Sequence, residues 1–225
     1  MLMNIVGVVL SFLYFFLVIF ITRLFPKSDE EYPRKFVHIM IGNWWLILWV
    51  FITNTLCAFV VPVAFVFINY YSVTKSHDNG LLSTLERKDV DMVSSSYGLI
   101  LYPIALVIMV FVSFVLTDKR YLGGVGIVPL AYGDGFAAIM GKRFPIGEYH
   151  IGSTKKTFTG SLSMLLISVF LLTLYLTDIV GFAIADVMYK IILAAVFAMI
   201  TEAITPNGFD NLTVPIISVL PFLMS

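Results

Sequence analysis

An aspartate, Asp134, interrupts an apolar stretch that runs from Ala131 to Met140, and two cations, Lys142 and Arg143, close that stretch. A charge at the depth of a membrane costs roughly 3 kcal/mol or more, so it usually has a partner, an ion or a substrate. Asp134 is therefore the first candidate functional residue. The alternative is a buried structural ion pair, with Lys142 as a candidate partner.

Three carboxylates together have the chemistry of a magnesium site. Asp134, Glu202 and Asp210 carry the hard oxygen ligands that Mg2+ takes while it keeps waters and substrate phosphates. Glu202 closes an apolar run, and Asp210 follows it shortly. The alternative for Glu202 is an interfacial side chain that extends to the membrane surface.

Basic and hydroxyl side chains near these acids suit the oxygens of a polyphosphate. Cations neutralise phosphate charge, and hydroxyls with backbone amides at a helix start bind phosphate oxygens. The candidates are Arg34, Lys35, Lys142, Arg143, Lys155 and Lys156 among the cations, and Ser153, Thr154, Thr157 and Ser161 among the hydroxyls. For Lys142 and Arg143 the alternative is a pair of topology anchors.

The composition indicates that membrane helices position these residues. Of the 225 residues 60% are apolar and only 12% are charged, about half the charged share of soluble domains. The formal net charge is zero, which gives no reason to expect nucleic acid as a partner. The single cysteine, Cys57, lies in an apolar run, is expected to pack there, and has no internal disulfide partner.

Apolar runs of about 20 residues mark membrane-spanning helices. The sequence contains seven: Leu2–Leu24, Phe36–Asn54, Leu56–Val73, Tyr97–Leu116, Tyr121–Met140, Leu162–Phe182 and Val187–Ile204. A shorter run, Leu212–Met224, is expected to form a re-entrant segment or an incomplete eighth helix. The first run lacks the flanks of a signal peptide, so we expect a retained helix. We predict an all-α polytopic membrane protein, with residues 1–225 forming one integral membrane domain.

The distribution of Lys and Arg predicts the orientation, because short basic loops stay in the cytoplasm. Eleven of the fourteen Lys and Arg residues fall in the odd-numbered connections between the seven spans. We therefore expect the N-terminus outside and the odd connections inside. Four polar clusters, at residues 34–38, 134–142, 153–161 and 202–211, then share the cytoplasmic face. The long connection 74–96 is expected to be a solvated loop or an interfacial helix.

An ordered set of four motifs covers most of the chain from residue 34 onward. The motifs are Arg34-Lys35-Phe36-Val37-His38 with Gly42, Gly133-Asp134-Gly135-Phe136-Ala137-Ala138 with Gly141-Lys142, Lys156-Thr157-Phe158-Thr159-Gly160-Ser161, and Glu202 followed by Asp210-Asn211-Leu212-Thr213-Val214-Pro215. In this order they resemble the CTP-dependent lipid-alcohol kinases, the family of dolichol kinase, phytol kinase and the CTP-using diacylglycerol kinase, which is related to the phosphatidate cytidylyltransferases.

The resemblance implies a reaction and a set of site residues. CTP would give its γ-phosphoryl group to the hydroxyl of a lipid alcohol, with Mg2+, at the cytoplasmic face of the bilayer. Asp134 becomes a nucleotide-metal residue, Lys142 and Lys156 become phosphate contacts, and Asp210 with Asn211 forms a second polar pair. Many members carry an acid at the position of Thr159, so here Glu202 or Asp210 is expected to complete the metal site.

Phosphoryl transfer depends mainly on positioning and on charge neutralisation. A general base must also accept the hydroxyl proton, and Asp134, His38 and Glu202 are the candidates; the alternative for His38 is a hydrogen-bonded packing residue. A phosphatidate cytidylyltransferase that makes CDP-diacylglycerol is the nearest alternative function. A secondary transporter is a second alternative, but the acids gather at one face and no inverted repeat is evident. Polyprenol, phytol-like and diacylglycerol acceptors all suit apolar helix walls.

Overall fold

The structure is a computed structural model and describes residues 1–25, 31–75, 92–151, 154–206 and 208–224. Six helices in this part of the chain are long and apolar enough to cross a membrane: Leu2–Thr22, Thr55–Ser72, Gly98–Leu116, Tyr121–Arg143, Phe158–Val180 and Ile184–Ile204. A shorter apolar helical segment, Asp210–Leu223, follows. The prediction of an all-α polytopic membrane protein with a short apolar C-terminal segment is therefore confirmed. Residues 76–91 of the long polar connection lie outside the described residues.

The elements follow one another as α1 (Leu2–Thr22), α2 (Glu31–Gly42), α3 (Trp44–Phe51), α4 (Thr55–Lys75), α5 (Met92–Phe111), α6 (Tyr121–Val128), α7 (Gly135–Arg143), β1 (Glu148–Ile151), β2 (Thr154–Thr157), α8 (Phe158–Leu174), α9 (Ile184–Ile204), α10 (Asp210–Ser218) and α11 (Leu220–Leu223). Three π-helical segments extend or join them: Val112–Leu116, Pro129–Asp134 and Tyr175–Val180.

The predicted second span, Phe36–Asn54, consists of two helices in the structure. α2 ends at Gly42 and α3 begins at Trp44, so Asn43 lies at the break. Asparagine competes for backbone hydrogen bonds and is therefore common at helix ends. The Asn43 side chain accepts a hydrogen bond from the Tyr132 hydroxyl, which joins the break to the π-helical segment Pro129–Asp134.

The span Tyr121–Arg143 is the central helix of the molecule. In its most apolar window 72% of the residues are buried, against 22–39% in the other five spans. Its first turns are rich in glycine, and a Cβ at Gly123 or Gly124 would overlap the ring of Trp45 or Tyr175. Small residues allow such close packing between membrane helices. Asp134 is thus carried by the most buried of the six spans.

A π-helical segment in the central helix ends at Asp134. It begins at Pro129, which has no N–H to donate to the helical hydrogen-bond pattern. Single π-helical turns inside α-helices are rare and frequently occur at functional sites. Gly135, the next residue, resumes the α-helix as α7.

Two short strands between α7 and α8 were not predicted. β1 and β2 pair antiparallel, with Glu148 opposite Thr157 and Ile151 opposite Thr154. Each strand has only four residues, most of them charged or polar. The sequence therefore lacks the alternation of apolar and polar residues that would predict a strand. The pair delivers Lys156 and Thr157 to the start of α8.

Candidate active site

Polar side chains from α2, the central helix, β2, α9 and α10 meet at one buried cluster. It contains at least one residue from each of the four polar clusters of the sequence: Lys35 and His38, Asp134, Lys156, and Glu202 with Asp210. The whole residues Lys35, Asp134 and Glu202 are 5%, 7% and 8% exposed. Such buried charges are tolerated when they are paired or bind ions.

Asp134 is held by two residues of α2. Its Oδ2 lies 2.7 Å from Lys35 Nζ and 3.1 Å from His38 Nε2. The alternative of a buried ion pair named Lys142 as a candidate partner, but the cation that pairs with Asp134 is Lys35. Lys142 lies eight residues further along the helix, about 12 Å along its axis, and its ammonium is 5.4 Å from the centre of the Tyr32 ring.

Lys156 holds the other two acids. Its Nζ is 2.6 Å from Glu202 Oε1 and 4.0 Å from Asp210 Oδ2, and it also donates to the Glu202 backbone carbonyl. Burial acts to lower the pKa of Lys156, but the carboxylates of Glu202 and Asp210 outweigh it and raise the pKa above its ordinary value. The ammonium form is therefore favoured.

Asp210 lies in a more negative environment. Burial and the neighbouring Asp134 raise the pKa of Asp210, and the cations Lys156 and Lys35 offset this only in part. Its backbone neighbour Asn211 donates N–H to Asp210 Oδ1 at 2.9 Å. The Asn211 side chain is buried and lies 3.4 Å from the Gly98 carbonyl, so it anchors α10 to α5.

The three acids form a donor set that fits a divalent cation. Asp134, Glu202 and Asp210 each offer one carboxylate oxygen, and these oxygens all lie within 4.8 Å of one another. Carboxylates this close repel each other unless a cation or a proton lies between them. Among the ion pairs that the structure describes for the three acids, Lys35 and Lys156 are the lysines, one fewer than the acids. All-oxygen ligands are the set that Mg2+ prefers.

The start of α8 is built by hydroxyl side chains. Thr157 is the N-cap of α8, and its Oγ1 accepts the Gly160 N–H at 3.0 Å. Ser161 Oγ lies 2.8 Å from the Tyr149 hydroxyl of β1. Thr159 Oγ1 donates to the Ile146 carbonyl at 3.4 Å. Glu202 and Asp210, the two acids expected from the resemblance to complete the metal site, both lie beside Asp134.

The structure does not bring all predicted phosphate-binding residues into the cluster. Lys142, Arg143 and Lys155 are exposed; Arg143 lies against the Phe144 ring, and Lys155 forms a surface ion pair with Glu148 at 2.7 Å. Arg34 and Thr154 are half-buried on α2 and β2. Ser153 lies outside the described residues.

Tyr102 of α5 is part of the site and was missed from the sequence. It is 4% exposed, donates its hydroxyl to the His38 carbonyl at 3.0 Å, and packs edge-on to the His38 ring with the centroids 4.7 Å apart. A tyrosine in an apolar run usually packs in the core. The one signal in the sequence was that a buried tyrosine hydroxyl needs a hydrogen-bond partner.

An apolar groove follows the outer seam between α8 and α9, the two helices that begin and end at the cluster. Its volume is about 450 Å³, and its walls are Leu165, Leu166, Val169, Phe170, Thr173, Leu174, Ile192 and Val196. The one hydroxyl, that of Thr173, is donated to the Val169 carbonyl at 2.8 Å. The surface that the groove presents is therefore hydrocarbon.

Comparison with known proteins identifies relatives of one kind. A phytol kinase of Synechocystis sp. is 31% identical over 193 residues, which cover 86% of this chain and 78% of that protein. Two plant proteins, a probable chloroplastic phytol kinase 1 of Oryza sativa subsp. japonica and a probable chloroplastic phytol kinase of Triticum aestivum, are each 27% identical over 85% of this chain. The chain spans 63% and 66% of their lengths.

No protein-family model and no solved structure matches the chain. The Synechocystis relative is nevertheless similar over most of both chains. The chain belongs to the phytol kinase family of lipid-alcohol kinases.

Proposed function

We propose that this protein is a CTP-dependent kinase that phosphorylates the hydroxyl of a membrane lipid alcohol. A bond forms between the lipid oxygen and the γ-phosphorus of CTP, and the bond from that phosphorus to the β–γ bridging oxygen breaks. The hydroxyl proton passes to a base, and the products are a lipid phosphate and CDP. The observation that carries the proposal is the triad Asp134, Glu202 and Asp210, within 4.8 Å, in a chain of this family.

The donor set supports Mg2+ as the metal, with Asp134, Glu202 and Asp210 as the residues that would hold it. When bound, Mg2+ neutralises charge on the transferring phosphate oxygens.

The lysines of the cluster neutralise negative charge in a dry environment. Lys156 is held by Glu202, and Lys35 is held by Asp134, so both ammonium groups are positioned before the substrate binds. Charges that are fixed in advance in a buried site stabilise a transition state without the cost of reorientation. Loss of either cation should therefore weaken phosphoryl transfer itself.

A carboxylate is the proposed proton acceptor. Glu202 and Asp210 both lie at the cluster beside Asp134, so a carboxylate oxygen is close to any hydroxyl that reaches the triad.

We propose that the two substrates, CTP and the lipid alcohol, reach the cluster from different directions. CTP is a cytosolic solute, and a lipid hydroxyl lies at headgroup level, so a site at the cytoplasmic ends of the helices suits both. The apolar groove between α8 and α9 supports a position for the hydrocarbon tail, since it runs along the two helices that carry Lys156 and Glu202 at their ends.

The test is turnover by the purified protein in nanodiscs with Mg2+, a panel of lipid alcohols and CTP labelled at the α or γ position. We expect the γ label in the lipid product and the α label in CDP, with CTP preferred over ATP, GTP and UTP. Release of the γ label in pyrophosphate, with the α label in the lipid, would instead identify a cytidylyltransferase. Substrate counterflow in proteoliposomes without CTP turnover would identify a transporter.

A further inference from the structure

The side chain of His38 lies between two oxygen atoms that accept hydrogen bonds. Its Nε2 is 2.8 Å from the Leu130 carbonyl oxygen and 3.1 Å from Asp134 Oδ2. A carbonyl oxygen has no hydrogen to donate, so the ring nitrogen must carry the hydrogen for this contact to be favourable. The Nε2–H of His38 is thus shared between the π-helical segment and the carboxylate that ends it.

The neighbouring groups fix the imidazole ring as well as its proton. The His38 backbone carbonyl accepts the Tyr102 hydroxyl at 3.0 Å, and the ring packs edge-on against the Tyr102 ring. Its contact with Leu130 ties the ring to the backbone of the π-helical segment. The ring therefore has little freedom to turn its Nε2 toward a substrate.

Asp134 receives two donors on the same oxygen. Lys35 Nζ lies 2.7 Å from Oδ2, the oxygen that His38 also contacts. Two donors on one oxygen fix the rotation of the carboxylate group. Among the contacts that the structure describes for Asp134, Oδ1 is the oxygen that stays available for a metal ion or a phosphate-bound ligand.

We propose that His38 is a positioning residue for Asp134 and does not accept the hydroxyl proton through Nε2. The inference rests on the proposed function, in which Asp134 holds the metal, and it assigns proton transfer to a carboxylate. A ligand-bearing side chain gains orientation and affinity from donors that hold it in place. His38 and Lys35 supply those donors from α2. The first helix of the broken second span therefore orients Asp134 on the central helix.

Two substitutions separate a donor from a base. Glutamine at position 38 keeps an N–H donor near the position of Nε2 but cannot act as a base, whereas alanine removes both abilities. We expect H38A to lower kcat/KM or to raise the half-saturating Mg2+ concentration about 10- to 100-fold, the usual effect of losing a group that orients a metal ligand. H38Q should keep most of the activity and the Mg2+ affinity of the unmodified protein.

His150 supplies the matched control, because it is exposed on β1. H150A and H150Q should both behave as the unmodified protein. Equal loss in folded H38A and H38Q, or no loss in either, would overturn the proposal. If H38A does not fold, the comparison of H38Q with the unmodified protein decides: retained activity supports positioning, and loss overturns it.

A second measurement is independent of turnover and of the H38 variants. In an H77Q/H150Q double variant His38 is the single histidine, and 15N NMR of the detergent-solubilised protein reports which ring nitrogen carries hydrogen. We expect hydrogen on Nε2. A neutral ring with its hydrogen on Nδ1 would overturn the proposal even if the protein is a lipid-alcohol kinase, and absence of kinase turnover with hydrogen on Nε2 would overturn only the proposed function.

Discussion

At the scale of single residues, the site depends on acids and cations that neutralise each other in a buried environment. Lys35 and Asp134 lie 99 positions apart in the sequence and form one buried pair, and Lys156 and Glu202 form another. Removal of one partner of a buried pair leaves a charge without compensation, which is far more costly than the loss of a surface pair. Substitutions here should therefore affect both stability and turnover.

The D134N variant should abolish Mg2+-dependent CTP turnover while the protein still elutes as a folded, monodisperse species in detergent. The amide keeps the shape of the side chain but removes the negative charge that holds a metal ion and that pairs with Lys35. Turnover measured by CDP release is the readout. D178N, at an exposed acid in the π-helical segment Tyr175–Val180, is the control and should be unaffected. Activity of D134N above about a tenth of the original would contradict a metal role, since ligand loss normally costs at least that much.

K156M should lower the free energy of unfolding by about 3–5 kcal/mol, because Glu202 would remain buried without its ammonium partner. It should also remove most kinase turnover. Thermal unfolding in detergent and CDP release measure the two effects. K190M is the matched control, since Lys190 lies against the aromatic rings of Tyr189 and Phe222 and is about 18 Å from Glu202 along the axis of α9. If K156M and K190M have equal effects, the buried pair is not the source of either.

At the scale of elements, irregular backbone positions the site. The break at Asn43 separates α2 from α3. A hydrogen bond from the Tyr132 hydroxyl to the Asn43 side chain joins this break to the π-helical segment Pro129–Asp134. β2 brings Lys156 to the start of α8, and Glu202 lies near the end of α9. The same two helices form the walls of the apolar groove.

T173W should fill the groove and raise the KM for long-chain lipid alcohols by about tenfold or more, since each methylene displaced from an apolar wall loses about 0.8 kcal/mol. The KM for short-chain alcohols should stay unchanged, because their tails do not reach Thr173. Steady-state kinetics with prenyl alcohols of increasing length measure the effect. L13W, on the exposed face of α1, is the control for a bulky substitution that faces lipid. Equal KM increases for short and long alcohols would show that the tail lies elsewhere.

At the scale of the whole molecule, three spans (those of α5, α8 and α9), the broken second span and α10 pack against one central helix, and α1 and α4 pack on these helices in turn. The central span is the most buried of the six, so its Asp134 is shielded from bulk water while the surrounding helices present apolar side chains outward. The orientation of this bundle in the bilayer stays a prediction from the Lys and Arg distribution.

A cysteine at position 150 tests that orientation. In a C57S/H150C variant, the single thiol lies on exposed β1, beside the strand that carries Lys156. We expect a membrane-impermeant maleimide to label it in inside-out vesicles and not in right-side-out vesicles, because the Lys and Arg distribution predicts that the connection with the strand pair is cytoplasmic. A matched C57S/D186C variant, at the exposed start of α9, should show the opposite pattern. Labelling of H150C from outside would reverse the predicted topology.

The sequence alone determined the class of the protein and the identity of its polar clusters. Runs of apolar residues are a local property that a bilayer imposes on each span, so six of the seven predicted spans lie within a few residues of an observed helix, whereas the second is broken at Asn43. The acids Asp134, Glu202 and Asp210 were predictable because ionisable residues near membrane spans are rare and need a reason. The ordered motifs around them indicated the family.

Only the tertiary structure decided which charges meet. Sequence proximity suggested Lys142 as the partner of Asp134, but the pitch of an α-helix carries Lys142 too far along the axis, and the packing of α2 against the central helix brings Lys35 and His38 instead. The paired strands, the break at Asn43 and the role of Tyr102 likewise depend on contacts between distant segments. Local hydrophobicity determines where a helix forms, whereas the apposition of helix faces determines which side chains become neighbours.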